Sequence, residues 1–316
     1  MSLVERALKK LQESRNAAAP VYSSALAPAA PAASRSAVPS VTSPIAASQA
    51  PEPRAKTESP AKPETPKRIV PIDRNVLREL QLMPPAAFER QIASQYQHIK
   101  RPLVAAALGK SATPVANGCL IMLASALPGE GKTFTSINLA LSMALEKDIE
   151  VLLVDADVAK PHLTRLFNLQ SERGLLDLLD DGALHPDSLI LPTDVPGLSI
   201  LPAGRQVSNA TELLSSARME QVVAQLGASL TPRLVLFDSP PLLLSTESRA
   251  IAEVVGQVVL VVRAESTSRA AVADAIELIG EPKSLSLILN QSESPPSSGY
   301  YGYGSYGDSE PPATDQ

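Results

Sequence analysis

The chain has 316 residues, 28 Lys and Arg against 33 Asp and Glu, a net charge of −5 and a single cysteine. A lone cysteine excludes a disulfide-stapled scaffold and fits a reducing, cytoplasmic setting. Charge is divided unevenly: residues 1–110 carry 16 basic and 8 acidic side chains, the remainder 12 and 25, so nucleic acid is not expected as a partner of the acidic part.

Residues 1–15 read as an amphipathic helix, with Val4, Leu8 and Leu11 on one face and mixed charge elsewhere. Without aromatic anchors such a helix suits docking on a protein better than lying on lipid, and a solvated helix has the same pattern. Residues 16–75 are rich in Ala, Pro and Ser with Tyr22 as the only aromatic. That composition buries too little apolar surface to offset chain entropy, so the segment is expected to be a disordered linker. Its dispersed basic charge suits an acidic protein, a lipid surface or simple solvation. No signal peptide or membrane-spanning run is read from the sequence, since the longest apolar stretches are strand-sized. Work at a membrane would then need another polypeptide to bring the chain there.

Residues 76–290 are expected to form the folded domain. Arg74–Leu80 and Ala86–Lys100 read as helices, the second with Phe88, Ile92, Tyr96 and Ile99 at helical spacing. Strands are then predicted at 119–124, 150–154, 198–202, 233–237, 256–262 and 285–289. Helices are predicted at 132–146, 162–168, 211–226, 246–254 and 268–280. Cys119 falls in the first strand as a small core residue. This alternation predicts an α/β domain, a mostly parallel sheet with helices on both faces and ligands at the C-terminal strand ends.

The run Ala126-Leu-Pro-Gly-Glu-Gly-Lys-Thr133 lies between the first strand and a helix, the setting of a P-loop NTPase fold. Gly129 and Gly131 let backbone N–H groups turn inward, the helix N-terminus favours negative charge, and Lys132 adds a mobile cation. The Thr133 hydroxyl suits a Mg²⁺ ion. The expected ATP-binding set is Pro128, Gly129, Glu130, Gly131, Lys132, Thr133 and Phe134. Two further apolar runs end in acids, Val151–Asp157 with Asp155 and Asp157, and Leu234–Asp238. Strand alternation puts Asp155 and Asp157 on one side. Three carboxylates beside a triphosphate repel it unless Mg²⁺ lies between, so their presence implies the metal.

Of six tyrosines in the chain, four stand close together at Tyr300, Tyr301, Tyr303 and Tyr306, within a flexible 291–316 tail. Gly and Ser between them keep the rings exposed, as a substrate segment requires, although a low-complexity tail without that role has the same composition.

These segments together resemble the bacterial tyrosine kinase family, whose catalytic domains are phosphate-loop proteins. Ala126–Thr133 is similar to the family's first nucleotide motif, Val151–Asp157 to its second and Leu234–Asp238 to its third. Leu201–Gly204, Glu212–Ser216 and Val261–Arg263 extend the likeness. Ser2–Ala7 and Ile99–Leu103 look like the subgroup encoded in exopolysaccharide and exosortase loci. The resemblance implies an ATP- and Mg²⁺-dependent autokinase regulating exopolysaccharide synthesis or export. It implies Lys132, Asp155 and Asp157 as catalytic residues, Asp155 being the base or orienter for a tyrosine hydroxyl. It implies Thr133, Asp157 and Asp238 at the metal, Asn290 at the adenine, and Tyr300, Tyr301, Tyr303 and Tyr306 as phosphosites. Its implied partners are a membrane-anchored chain-length co-polymerase as activator, a tyrosine phosphatase and other copies of the chain, with recruitment to the inner face of the cell membrane.

Two positions depart from the family. An arginine expected two places after the second aspartate is Ala159, followed by Lys160. A ring-assembly Glu-x-x-Arg-x-x-Arg reads Ser94, Gln97 and Lys100 here, so a ring of the family type is not expected from this helix. Two rival functions stay open. A partition- or positioning-type switch ATPase carries a signature lysine where this chain has Leu127, and lacks the tyrosine tail. A nucleotide-bound scaffold of an export complex would need no transfer at all.

Overall fold

The computed structural model describes residues 67–229, 231–280 and 283–292. Contacts divide the chain into two units, 1–60 and 61–316, and the described residues all belong to the second. The predicted N-terminal helix, most of the linker and the tyrosine tail lie outside the described residues.

Seven strands form one sheet: β1 (Leu120–Ser125), β2 (Glu150–Asp155), β3 (Leu191–Pro192), β4 (Leu198–Leu201), β5 (Arg233–Asp238), β6 (Gln257–Arg263) and β7 (Ser284–Asn290). Their order is β3-β4-β2-β5-β1-β6-β7, parallel throughout except for β3 against β4. Central strands are apolar on both faces. In β1, Leu120, Met122 and Ala124 enter one core while Ile121 and Leu123 enter the other. That two-sided burial is what a parallel sheet covered by helices requires.

Ten helices of four residues or more accompany the sheet among the described residues: α1 (Arg74–Glu79), α2 (Glu89–Ala107), α3 (Lys132–Met143), α4 (His162–Leu166), α5 (Leu175–Asp180), α6 (Pro186–Leu189), α7 (Ala210–Leu214), α8 (Ala217–Gly227), α9 (Thr246–Val254) and α10 (Arg269–Ile279). None of them is long and apolar enough to cross a membrane.

Several boundaries differ from the sequence reading. Ordered packing starts before residue 76: Val70 is fully buried, its N–H donates to Pro192 O at 2.9 Å, and its carbonyl accepts from Asp194 N at 3.1 Å. In the short apolar run Ile69-Val70-Pro71-Ile72, Val70 and Ile72 are buried and seat this strap on the sheet edge, while Ile69 stays exposed. Helix α2 runs beyond Lys100 and through Pro102 to Ala107. Burial of Leu103 and Ala106 on that side offsets the hydrogen bond the proline removes. The predicted 211–226 helix is two helices parted at Ser215–Ser216, and Cys119 sits half-buried just ahead of β1.

Lys100 accounts for one of the departures. Its side chain is buried, donates from Nζ to Ser142 O at 2.8 Å and pairs with Glu146 Oε1 at 2.7 Å, tying α2 to the end of α3. Ser94 and Gln97 are exposed. The third position of the altered motif therefore serves the chain's own packing.

Candidate active site

The loop between β1 and α3 turns on two glycines in the left-handed region, Gly129 at φ +78° and Gly131 at φ +95°. A Cβ at Gly131 would stand 2.0 Å from Asn290 Nδ2, at the end of β7. That amide donates to Glu130 O at 2.9 Å, so Asn290 holds the loop's backbone as well as lining the cleft beside it. The Glu130 side chain turns inward, leaving only the residue's backbone to meet a nucleotide. Oε2 accepts from Leu127 N at 2.7 Å and Oε1 from the Thr267 hydroxyl, pinning the loop to the turn before α10. We expect Gly131→Ala to destabilise the fold by about 1–3 kcal/mol through backbone strain and to weaken ATP binding. Calorimetric titration and a thermal melt on one preparation measure both; unchanged affinity would contradict the close-approach role.

A cleft of about 860 Å³ opens over this loop, within the size range of small-molecule sites. Pro128, Gly129, Gly131, Lys132, Thr133, Phe134, Asp157 and Asn290 line it, joined by Ala159, Lys160 and the Leu80–Leu82 turn. Desolvation holds the Lys132 ammonium below the ordinary lysine range, against the pull of Asp238, Asp157 and Glu130. Asp157 is half-buried, pushed up by burial and pulled back by the Lys160 N–H and by Lys132.

Asp238 lies beneath the cleft. Oδ2 accepts from the Thr133 hydroxyl and Oδ1 from the Ser136 hydroxyl, each at 2.8 Å. Both its oxygens are engaged by hydroxyls of α3, and Asp238 itself does not line the cleft. Burial raises its pKa, opposed by Lys132, Ser136 and Thr133. Ser136, which sequence reading did not single out, carried no signal beyond its place one turn into α3.

Parallel pairing of β2 with β5 puts Asp155 beside Asp238 at the strand ends. Asp155 is fully buried and does not line the cleft, unlike Asp157, so alternation does not put the two in one environment. Its Oδ1 has no hydrogen-bond partner among the described residues. Burial pushes the Asp155 carboxyl up to about 7 from an ordinary 3.8, against the two bonds from Thr164. The native state then binds a proton that the unfolded chain releases between those values, so stability falls as pH rises through that window. We expect nucleotide-free melts from pH 5 to 8 to show this decline and Asp155→Asn to flatten it. Equal slopes would contradict it.

The residues present suit a Mg-nucleotide. A glycine loop opening a helix N-terminus, a cation, a threonine hydroxyl and an orphaned buried carboxylate oxygen lie at the C-terminal ends of neighbouring strands. Among the described residues no three His, Cys, Asp or Glu form a group able to hold a metal alone, so phosphate oxygens would complete the shell.

A family model described as an AAA domain matches residues 119–289. The tyrosine-protein kinase YwqD of Bacillus subtilis strain 168 is 33% identical over 186 residues, covering 58% of this chain and 77% of that one. The chain is an AAA-domain member of the bacterial tyrosine kinase family. The tyrosine-protein kinase CpsD of Streptococcus agalactiae is 31% identical over 191 residues, covering 60% of this family member and 81% of its own length. For the tyrosine-protein kinase ptk of Acinetobacter johnsonii, 33% identity extends over 174 residues, 55% of this chain but only 21% of that relative. Among solved structures, the BceF tyrosine kinase domain is similar at a TM-score of 0.53 and 28% identity, covering 69% of this chain and 90% of that one.

Proposed function

We propose that this chain is an ATP-dependent protein-tyrosine autokinase whose acceptors are Tyr300, Tyr301, Tyr303 and Tyr306. The observation carrying this reading is the convergence of Lys132, Thr133 and Asp157 on one cleft whose rim is Asn290, the residue from which the tail departs. From there Tyr300 has a reach of about 35 Å when extended, enough for a neighbouring copy's cleft.

Lys132 binds the β- and γ-phosphates, and Thr133, held by Asp238, offers its hydroxyl to Mg²⁺, with Asp157 near the metal. The bound metal neutralises phosphate charge. The tyrosine oxygen bonds to the γ-phosphorus as the bond to ADP breaks, and the phenolic proton passes to a carboxylate. Asp157, on the cleft wall, meets the hydroxyl, while Asp155 stays buried behind the cleft, held by Thr164. Each phosphate adds nearly two negative charges to an acidic tail, repelling it from the acidic domain and loosening contacts between copies.

The relatives' names support a kinase over a positioning ATPase. So does Leu127, whose side chain packs against the core where that class carries a lysine. The chain matches only part of its longer relatives, so its place at the inner membrane face, its membrane-anchored co-polymerase activator, its phosphatase and its role in exopolysaccharide export belong to this proposal. A pull-down of the full chain and of a version lacking residues 1–15 on the activator's cytoplasmic part tests recruitment. We expect only the full chain to bind, and equal binding of both would contradict docking through the N-terminal helix.

A further inference from the structure

Thr164, the third residue of α4, is buried and makes three short hydrogen bonds at the C-terminal ends of β2 and β4. Its N–H and its Oγ1 both donate to Asp155 Oδ2, each at 2.7 Å. The same Oγ1 accepts from Ala203 N at 2.9 Å, in the segment that follows β4. Because Ala203 N–H is only a donor, the single hydroxyl proton of Thr164 is committed to Asp155. One oxygen of Asp155 is thus held from two directions, and the other, Oδ1, has no partner among the described residues. An acceptor kept unpaired inside a fold is costly unless a ligand completes it.

We infer that Thr164 is a positioning residue of the nucleotide site, fixing Asp155 through Oδ2 so that Oδ1 is left for the Mg-nucleotide. This rests on the proposed nucleotide chemistry and adds a residue that no motif marks. Through Ala203 the clamp also links that carboxylate to the loop between β4 and α7. Gln206 in that loop donates to Val158 O at 3.2 Å, so the loop touches both the β2–α4 connection and α4 itself.

The test compares Thr164→Val, which keeps the shape without the hydroxyl, with Thr164→Ser, which keeps the hydroxyl, in full-length protein. Calorimetric titration of ADP with Mg²⁺ and with EDTA gives the enhancement due to the metal. Partners of this kind change metal affinity by about 10–100-fold, so we expect the valine chain to lose at least tenfold of the enhancement. Its Mg-free affinity should be unchanged, and the serine chain should match wild type. In an Asp155→Asn background the valine change should add nothing further, since the two residues act as a unit. If the valine chain does not fold, Thr164→Ala, which leaves space beside the carboxylate, gives the same comparison. Wild-type enhancement in the valine chain, an equal loss with and without Mg²⁺, additive losses in the double variant, or no Mg²⁺ enhancement in wild type would each overturn the inference. Absence of tail phosphorylation in wild type would instead defeat the kinase reading, and the binding comparison would still decide the role of Thr164.

Discussion

Replacing Lys132 with methionine should abolish tail phosphorylation while leaving the fold intact. The methionine keeps most of the apolar stem, so the packing at the start of α3 survives. What disappears is the only lysine among the loop's own residues, 126–133. Loss of one preorganised charge donor at a transferring group costs about 10²–10³-fold in turnover, and loss of the phosphate cation should cost at least that. Stability should move the other way or not at all. Burial outweighs the neighbouring carboxylates in depressing the Lys132 pKa, so removing the ammonium relieves a desolvation cost. Single-turnover labelling with Mg·ATP, beside a thermal melt, reads both. Residual phosphotyrosine above about a hundredth of wild type would contradict the assigned role.

Asp238→Asn should separate stability from function still more sharply. The carboxylate is buried, and its raised pKa means that ionisation at neutral pH is unfavourable for the fold. The amide is nearly isosteric, relieves that cost and still offers one oxygen to a hydroxyl. The melting temperature at pH 8 should therefore equal or exceed that of wild type, with the gap narrowing as pH falls and the wild-type carboxyl gains its proton. Function should fall, because Thr133 loses a charged acceptor and its hydroxyl is no longer turned to suit a metal. We expect kcat/KM for Mg·ATP to drop by about 10²-fold, in line with loss of a supporting ligand around a metal site. A variant that melts earlier with unchanged kinetics would contradict both halves.

Much of the architecture was legible because a parallel sheet writes itself as apolar runs. Six strands were read within about one residue at each end, inside the usual uncertainty of boundaries. The misses have physical causes. Strand β3 is two residues long and contains Pro192, so it has no period to read. Helix α5, Leu-Leu-Asp-Leu-Leu-Asp with its first five residues buried, is under two turns long and too short for a helical period to stand out. Pro102 reads as a stop, yet tertiary burial carries α2 past it. At the site, Lys132, Thr133, Asp157 and Asp238 were legible because a cradle, a cation and acids at strand ends follow one another in predictable settings. Ser136, Thr164 and Thr267 were not, because a hydroxyl makes no pattern and its partners lie as far as 137 residues away. The inward turn of Glu130 was equally hidden: sequence gives the carboxylate its place in the loop but not its direction. Lys100 shows the converse: at a position where the family resemblance implies a ring-assembly arginine, this chain has a lysine that is occupied within its own fold.

The central claim is transfer of phosphate to the tail, and mapping phosphotyrosine tests it most directly. The purified full-length chain is incubated with Mg·ATP, alone and with the cytoplasmic part of its candidate membrane activator, and analysed by mass spectrometry. Phosphate is predicted on tyrosines within Tyr300–Tyr306, absent from Lys132→Met and from a chain in which all four tail tyrosines are phenylalanine. ATP hydrolysis without phosphotyrosine under both conditions would make the chain a switch ATPase, and binding without turnover would make it a scaffold; either result contradicts the kinase.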